Sequence, residues 1–119
     1  MQKPEYILCS AIHFKNGAKS TVLNIESGVI ICGRRHGDCY DILRGLVSDI
    51  KESELPNRDC QGFMTSKNRF VGRSEAFKIA KLNNQITHNM LDDNEEAILT
   101  SEDMYWGDNK NDKYSEEIL

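Results

Sequence analysis

The stretch 61–85, QGFMTSKNRFVGRSEAFKIAKLNNQ, constrains the fold of this chain more than any other. Its first part alternates, with Phe63 and Thr65 opposed to Met64 and Ser66, as the two faces of a strand require. Lys67-Asn68 supplies a tight turn, and Arg69-Phe70-Val71 reads as a short return strand. Gly72 breaks it. Residues 74–84 then place Ala76, Phe77, Ile79, Ala80 and Asn83 at helical spacings. A hairpin therefore feeds directly into a helix N-terminus that carries Arg73. The unpaired N–H groups of a helix start attract anions, and guanidinium forks match phosphate oxygens. A small phosphate-bearing ligand is the expectation.

The earlier residues predict more sheet. Residues 6–14, YILCSAIHF, are rich in β-branched and aromatic types. Lys15-Asn16-Gly17 is a strong turn signal, because Asn-Gly tolerates the positive φ of tight hairpin turns. Residues 18–25 are the expected return strand, with Thr21, Leu23 and Ile25 on one side. A second turn at Glu26-Ser27-Gly28 leads into the apolar strand 29–32. The expected fold class is α+β: an N-terminal antiparallel β-meander plus a further hairpin, packed with two main helices.

The first of those helices follows Gly33-Arg34-Arg35-His36-Gly37-Asp38. Asp38 is a good N-cap, and Ile42, Leu43, Leu46, Val47 and Ile50 form the expected apolar stripe. Basic residues again stand at a helix mouth. Two such mouths in one small domain could converge on a single ligand, and the alternative for Arg34 and Arg35 is ordinary surface ion pairing.

At 119 residues the chain suffices for one core. We expect a single α+β ligand-binding domain over 1–106 and an acidic tail over 107–119. The net charge of −4 is unevenly spread. From Asp92 onward there are ten acids and two lysines, so the first 91 residues carry a net positive charge. That asymmetry suits an anion-binding body, with an acidic end that is solvated, folds back or meets another subunit. Residues 98–100 read as extended, and Ser101-Glu102-Asp103 as the cap of a turn carrying Met104, Tyr105 and Trp106. No signal peptide and no membrane-length apolar run is visible, which points to a cytosolic protein with reduced cysteines.

Catalytic constellations are weak. Cys32, His36, Cys39 and Cys60 would make a Cys₃His zinc set, but the paired C-x₂-C spacing of structural zinc sites is missing. Cys39 lies three residues from His36, yet nothing in the sequence identifies a third, orienting residue. Glu102-Asp103 fits a capping turn better than an acid/base pair. No catalytic residue, metal or cofactor is expected. Binding is better served. Phe70, between Arg69 and Arg73, offers either a stacking face for a base or an ordinary core aromatic. The amides of Asn68, Asn84 and Gln85 can donate and accept at once, as ribose hydroxyls and base edges demand. No Walker or G-x-G-x-x-G loop is present. A small nucleic-acid-binding protein using the same basic, aromatic surface is the alternative.

The succession ILCSAIHF, GRRHGDCYDIL, QGFMTSKNRFVGRSEAFKIAKLNNQI and ILTSEDMY resembles a family of small phage and prophage proteins, the Thoeris anti-defence signal sponges of the first-described type. The likeness runs from about Tyr6 to Trp106, and the block 61–86 is its most specific part. This chain departs from the family at Gly72, where other members carry an acidic N-cap. The resemblance implies a non-enzymatic protein of the infected bacterial cytoplasm that holds cyclic ADP-ribose isomers made by TIR-domain enzymes, without cleaving them. It further implies cyclic oligonucleotides as a second ligand class, and a homo-oligomer, dimeric or larger, with pockets near subunit interfaces. Carried over by position, it assigns Arg69, Phe70 and Arg73 to phosphate and base, and Asn68, Asn84 and Gln85 to polar edges. Arg35 and His36 follow as residues reaching a neighbour's pocket.

Overall fold

The structure is a computed structural model that describes residues 4–86 and 98–100. In chain order it contains β1 (Ile7–Lys19), β2 (Ser27–Gly33), α1 (His36–Leu46), 3₁₀ turns at Glu52–Glu54 and Arg58–Cys60, β3 (Gln61–Thr65), β4 (Phe70–Gly72) and α2 (Arg73–Leu82). The strands form one antiparallel sheet of order β2-β1-β3-β4, so the fold is α+β. Among the described residues no helix is long and apolar enough to cross a membrane.

The expected meander loses its middle strand. Asn16-Gly17 does turn locally: Gly17 adopts φ +81°, and the Asn16 Oδ1 accepts from the Ala18 N–H at 3.0 Å. The turn is absorbed inside β1 as an irregularity between Phe14 and Lys19, and the same strand resumes pairing at Lys19 with Ser27. Most of the expected strand 18–25 instead lies in a loop, residues 20–26, laid across the β3-β4 hairpin. Their backbone partners lie there: Leu23 N–H donates to the Asn68 carbonyl at 3.0 Å, and the Asn24 side chain brackets Phe70, accepting from its N–H at 2.9 Å and donating to its carbonyl at 2.7 Å. Distant hairpin contacts outweigh the local turn signal.

The register divides the sheet into two faces. Ile31, Ile12, Ser10, Phe63 and Val71 share one face, and both helices cover it. Cys39 and Leu43 of α1 pack on Ile12 and Ile31; Ala76, Phe77 and Ala80 of α2 pack on Ile7, Phe63 and Val71, with Leu99 filling the same cluster. On the other face Val22 and Ile25 of the 20–26 loop cover Ala11, Met64 and Phe70. The apolar stripe of α1 is thus Cys39, Leu43 and Val47, four residues apart, whereas Ile42 and Leu46 of the expected stripe are 44% and 69% exposed. Asp38 is not the N-cap either. It stands in the first turn and its Oδ2 accepts from the N–H of Arg35, the N-cap residue, at 3.1 Å. The expected turn at 101–106 and the acidic tail at 107–119 lie outside the described residues.

Gly62 sits where the sheet tolerates no side chain. A Cβ there would run into the Val71 carbonyl oxygen and come within 2.8 Å of Phe70 Cζ. Gly62→Ala is therefore expected to lower unfolding free energy by about 3 kcal/mol through overpacking. Urea denaturation followed by circular dichroism checks this, and Gly37→Ala, where a Cβ meets nothing, is the control.

Candidate ligand-binding site

The register also brings the two helix starts together. Cys32, Ala11, Gly62 and Gly72 form one row across all four strands. β2 ends one residue past that row and α1 begins at His36; β4 ends on it and α2 begins at Arg73. Both N-termini therefore open onto one cavity of about 620 Å³. α1 contributes its N-cap Arg35 together with His36, Gly37, Asp38 and Asp41. The second 3₁₀ turn brings Arg58, the start of β3 brings Gln61, α2 brings Arg73, and Thr100 closes the lining.

Each part is held from behind. The His36 Nε2–H donates to the Gly62 carbonyl at 2.8 Å, which fixes the proton on that nitrogen, and the ring stands edge-on to Phe63 at 5.1 Å between centroids. Tyr40 donates from its hydroxyl to the Pro56 carbonyl at 2.7 Å and accepts from Gln61 Nε2 at 3.2 Å, so the 3₁₀ segment is pinned against α1. Asn57 caps the turn that carries Arg58, its Oδ1 accepting from the Asp59 N–H at 3.0 Å. Three guanidiniums and two helix N-termini thus face the cavity against the carboxylates of Asp38 and Asp41. Among the described residues neither Arg58 nor Arg73 is in a salt bridge. The arrangement suits an anion with more than one negative group.

Of the residues expected to bind, the structure gathers Arg35, His36 and Arg73 here. The other five lie elsewhere, engaged within the chain. Asn68 is the hairpin turn residue, at φ +58°, and its side chain donates to the Thr21 carbonyl at 3.1 Å. Arg69 grips Glu5 through Nε at 2.8 Å and Nη2 at 3.0 Å, and reaches Glu75 at 2.7 Å. Phe70 packs on the face opposite the helices. Asn84 takes the left-handed conformation (φ +56°) just after α2. The Gln85 amide pairs with Ile7 as a strand would, accepting from its N–H and donating to its carbonyl, both at 2.8 Å. Adjacent strand residues face opposite ways, so Phe70 turns to the face away from the helices while Arg69 is taken up by Glu5 and Glu75.

Arg58 lies in the polar segment 51–60, which shows no helical or strand periodicity, and Gln61 opens the strand block without a ligand signal of its own. The one available signal was Asn57, a cap residue directly before an arginine. The Cys39–His36 pairing considered as a nucleophile is not assembled. Burial pushes the Cys39 thiol up to about 12, and its sulfur points to the Ser10 carbonyl at 3.6 Å. Among the described residues no group of three metal-ligating side chains could hold an ion.

Arg69 has a stability role that pH exposes. Its hydrogen bonds hold the Glu5 carboxyl below its ordinary value, against the opposing effect of burial. A carboxylate depressed in the folded state stabilises above its unfolded value and loses that contribution as pH falls through the folded one. Arg69→Ala should therefore cost about 1–2 kcal/mol at pH 7, and the gap from the parent protein should shrink by pH 3. Paired urea titrations at the two pH values measure it.

Comparison with curated proteins and with solved structures returns no match. A family model described as Phage T4 y16D protein matches residues 6–105, which include the whole sheet, both helices and every lining residue of the cavity, and the chain belongs to that phage protein family.

Proposed function

We propose that this phage protein is a non-catalytic sponge that captures a cyclic ADP-ribose-type messenger in the cytoplasm of the infected bacterium and so blocks TIR-based antiviral signalling. The observation that carries the reading is the convergence of Arg35, Arg58 and Arg73 with two helix N-termini on one cavity. Its volume lies within the roughly 300–1,000 Å³ of small-molecule pockets. A cyclic ADP-ribose isomer carries a pyrophosphate, which two guanidiniums and a helix start would hold, and ribose hydroxyls, which would donate to a carboxylate such as Asp41 and exchange hydrogen bonds with the Gln61 amide. The resemblance of blocks 33–43 and 61–86 to signal sponges supports the same ligand class. Sequestration asks for slow release and needs no general base. The protein would act as a homo-oligomer, with cyclic oligonucleotides as a second class of ligand.

The test incubates the protein with cyclic ADP-ribose isomers and cyclic oligonucleotides, removes free ligand by filtration, denatures the protein by heat and identifies what is released. Intact ligand at near-stoichiometric yield is expected. Arg73→Ala and Arg58→Ala should each weaken retention by about ten- to a hundredfold, as the loss of a charge-assisted hydrogen bond predicts. A folded Arg69→Ala protein should retain the ligand. Release of an altered product would make the protein an enzyme. Retention of nothing, combined with a steep salt dependence of oligonucleotide binding, would favour a nucleic-acid-binding protein.

A further inference from the structure

The helix-free face of the sheet carries a second chemistry. Cys32 lies on β2 opposite Ala11, and Cys9 lies two residues before Ala11 on β1, so the two cysteines are diagonal neighbours pointing to the same face. Ala11 between them is small and fully buried, which leaves the sulfurs free to lean together. The two thiols are close enough for each to shift the other's titration. Cys32 is exposed on the sheet's edge strand, while Cys9 is half-buried behind it. The other two cysteines are differently placed. Cys39 is buried on the helix-covered face, and Cys60 ends a 3₁₀ turn.

We infer that Cys32 and Cys9 form a thiol-exchange site, in which exposed Cys32 attacks a low-molecular-weight disulfide and Cys9 resolves the product into an intrachain bond. The neighbouring Cys9 thiol favours the Cys32 thiolate and holds its pKa down, whereas the same neighbour and burial raise that of Cys9. The order of reaction follows. The Cys32 thiolate bonds to one sulfur of a disulfide such as oxidised glutathione, and the other half leaves as a thiolate. That thiolate takes up a proton. Cys9, on losing its own proton, attacks the Cys32 sulfur and expels the second glutathione. Two protein thiols are oxidised and one small disulfide is reduced to two thiols. Diagonal partners stand slightly wider than a relaxed disulfide allows, so a shift of the strand must accompany closure. β2 can supply it: it is an edge strand and ends one residue after Cys32.

The experiment treats the folded full-length chain with oxidised glutathione, quenches with acid and maps the peptides by mass spectrometry. A Cys9–Cys32 cross-link is expected, with two of the four thiols lost to a colorimetric thiol assay and recovered with dithiothreitol. Cys9→Ser should stop at a stable mixed disulfide on Cys32. In Cys32→Ser, Cys9 should be modified at least tenfold more slowly than the parent reaction proceeds. A mixed disulfide that persists on Cys32 in the parent protein would overturn the resolving role of Cys9. Absence of reaction, or prior modification of Cys60, would overturn the site.

Discussion

The hydrogen bond from His36 to the Gly62 carbonyl ties the molecule's two halves together. α1 packs on β1 and β2, and α2 packs on β1, β3 and β4, so each helix could rest on its own end of the sheet. His36 belongs to the first turn of α1, yet its imidazole reaches β3 and lies against Phe63, the fully buried residue on which α2 also packs. A part-buried hydrogen bond of this kind contributes about 1 kcal/mol. Its larger effect is positional, because it fixes the start of α1 beside the strand that leads through the hairpin to the start of α2.

That position depends on small residues. Gly62 accepts the His36 contact on a strand whose partner backbone lies too close for any side chain. At Gly33 a Cβ would meet Cys39 at 3.1 Å, so the end of β2 can approach the helix that follows it. Gly72 serves as the N-cap of α2 without a side chain to cap it, so its first-turn N–H groups are not satisfied by the cap residue. In a capped helix the side chain would compete with an incoming anion for those groups. The departure at Gly72 that weakens the helix start as a sequence signal therefore favours it as an anion site.

Sequence legibility followed the range of the deciding contacts. The 61–85 hairpin and helix were readable because alternation, turn residue and helical spacing are local, and Asn68 does supply the positive φ of the turn. Arg69 and Arg73 looked equivalent, four residues apart. What separates them is Glu5, 64 residues away from Arg69, and no periodicity reports that pairing. The amides of Asn24 and Gln85 behave likewise, each bracketing the backbone N–H and carbonyl of a residue far away in sequence. An inventory of donors and acceptors marks such residues as ligand-binding, when the structure spends them as substitutes for a missing strand.

The convergence of the two helix mouths has a topological cause that the motif reading could only suggest. β2 and β4 run in opposite directions and stand at opposite edges of the sheet, which would ordinarily send their following helices away from different ends. Here β4 stops at the row of Ala11 and Gly62, and β2 stops one residue past it. The helices then turn back over one face from a common level. α1 covers the half of the sheet around Ile12 and Ile31, and α2 covers the half around Ile7 and Val71. Their positive ends meet above the middle of the sheet and their bodies diverge. Two opposed dipoles so placed repel, and the three arginines of the cavity stand there against the carboxylates of Asp38 and Asp41. Hydrogen bonds from Tyr40, Asn57 and His36 fix the elements that line this cavity, and under the function proposed above a bound anion would add stability by binding only the folded state.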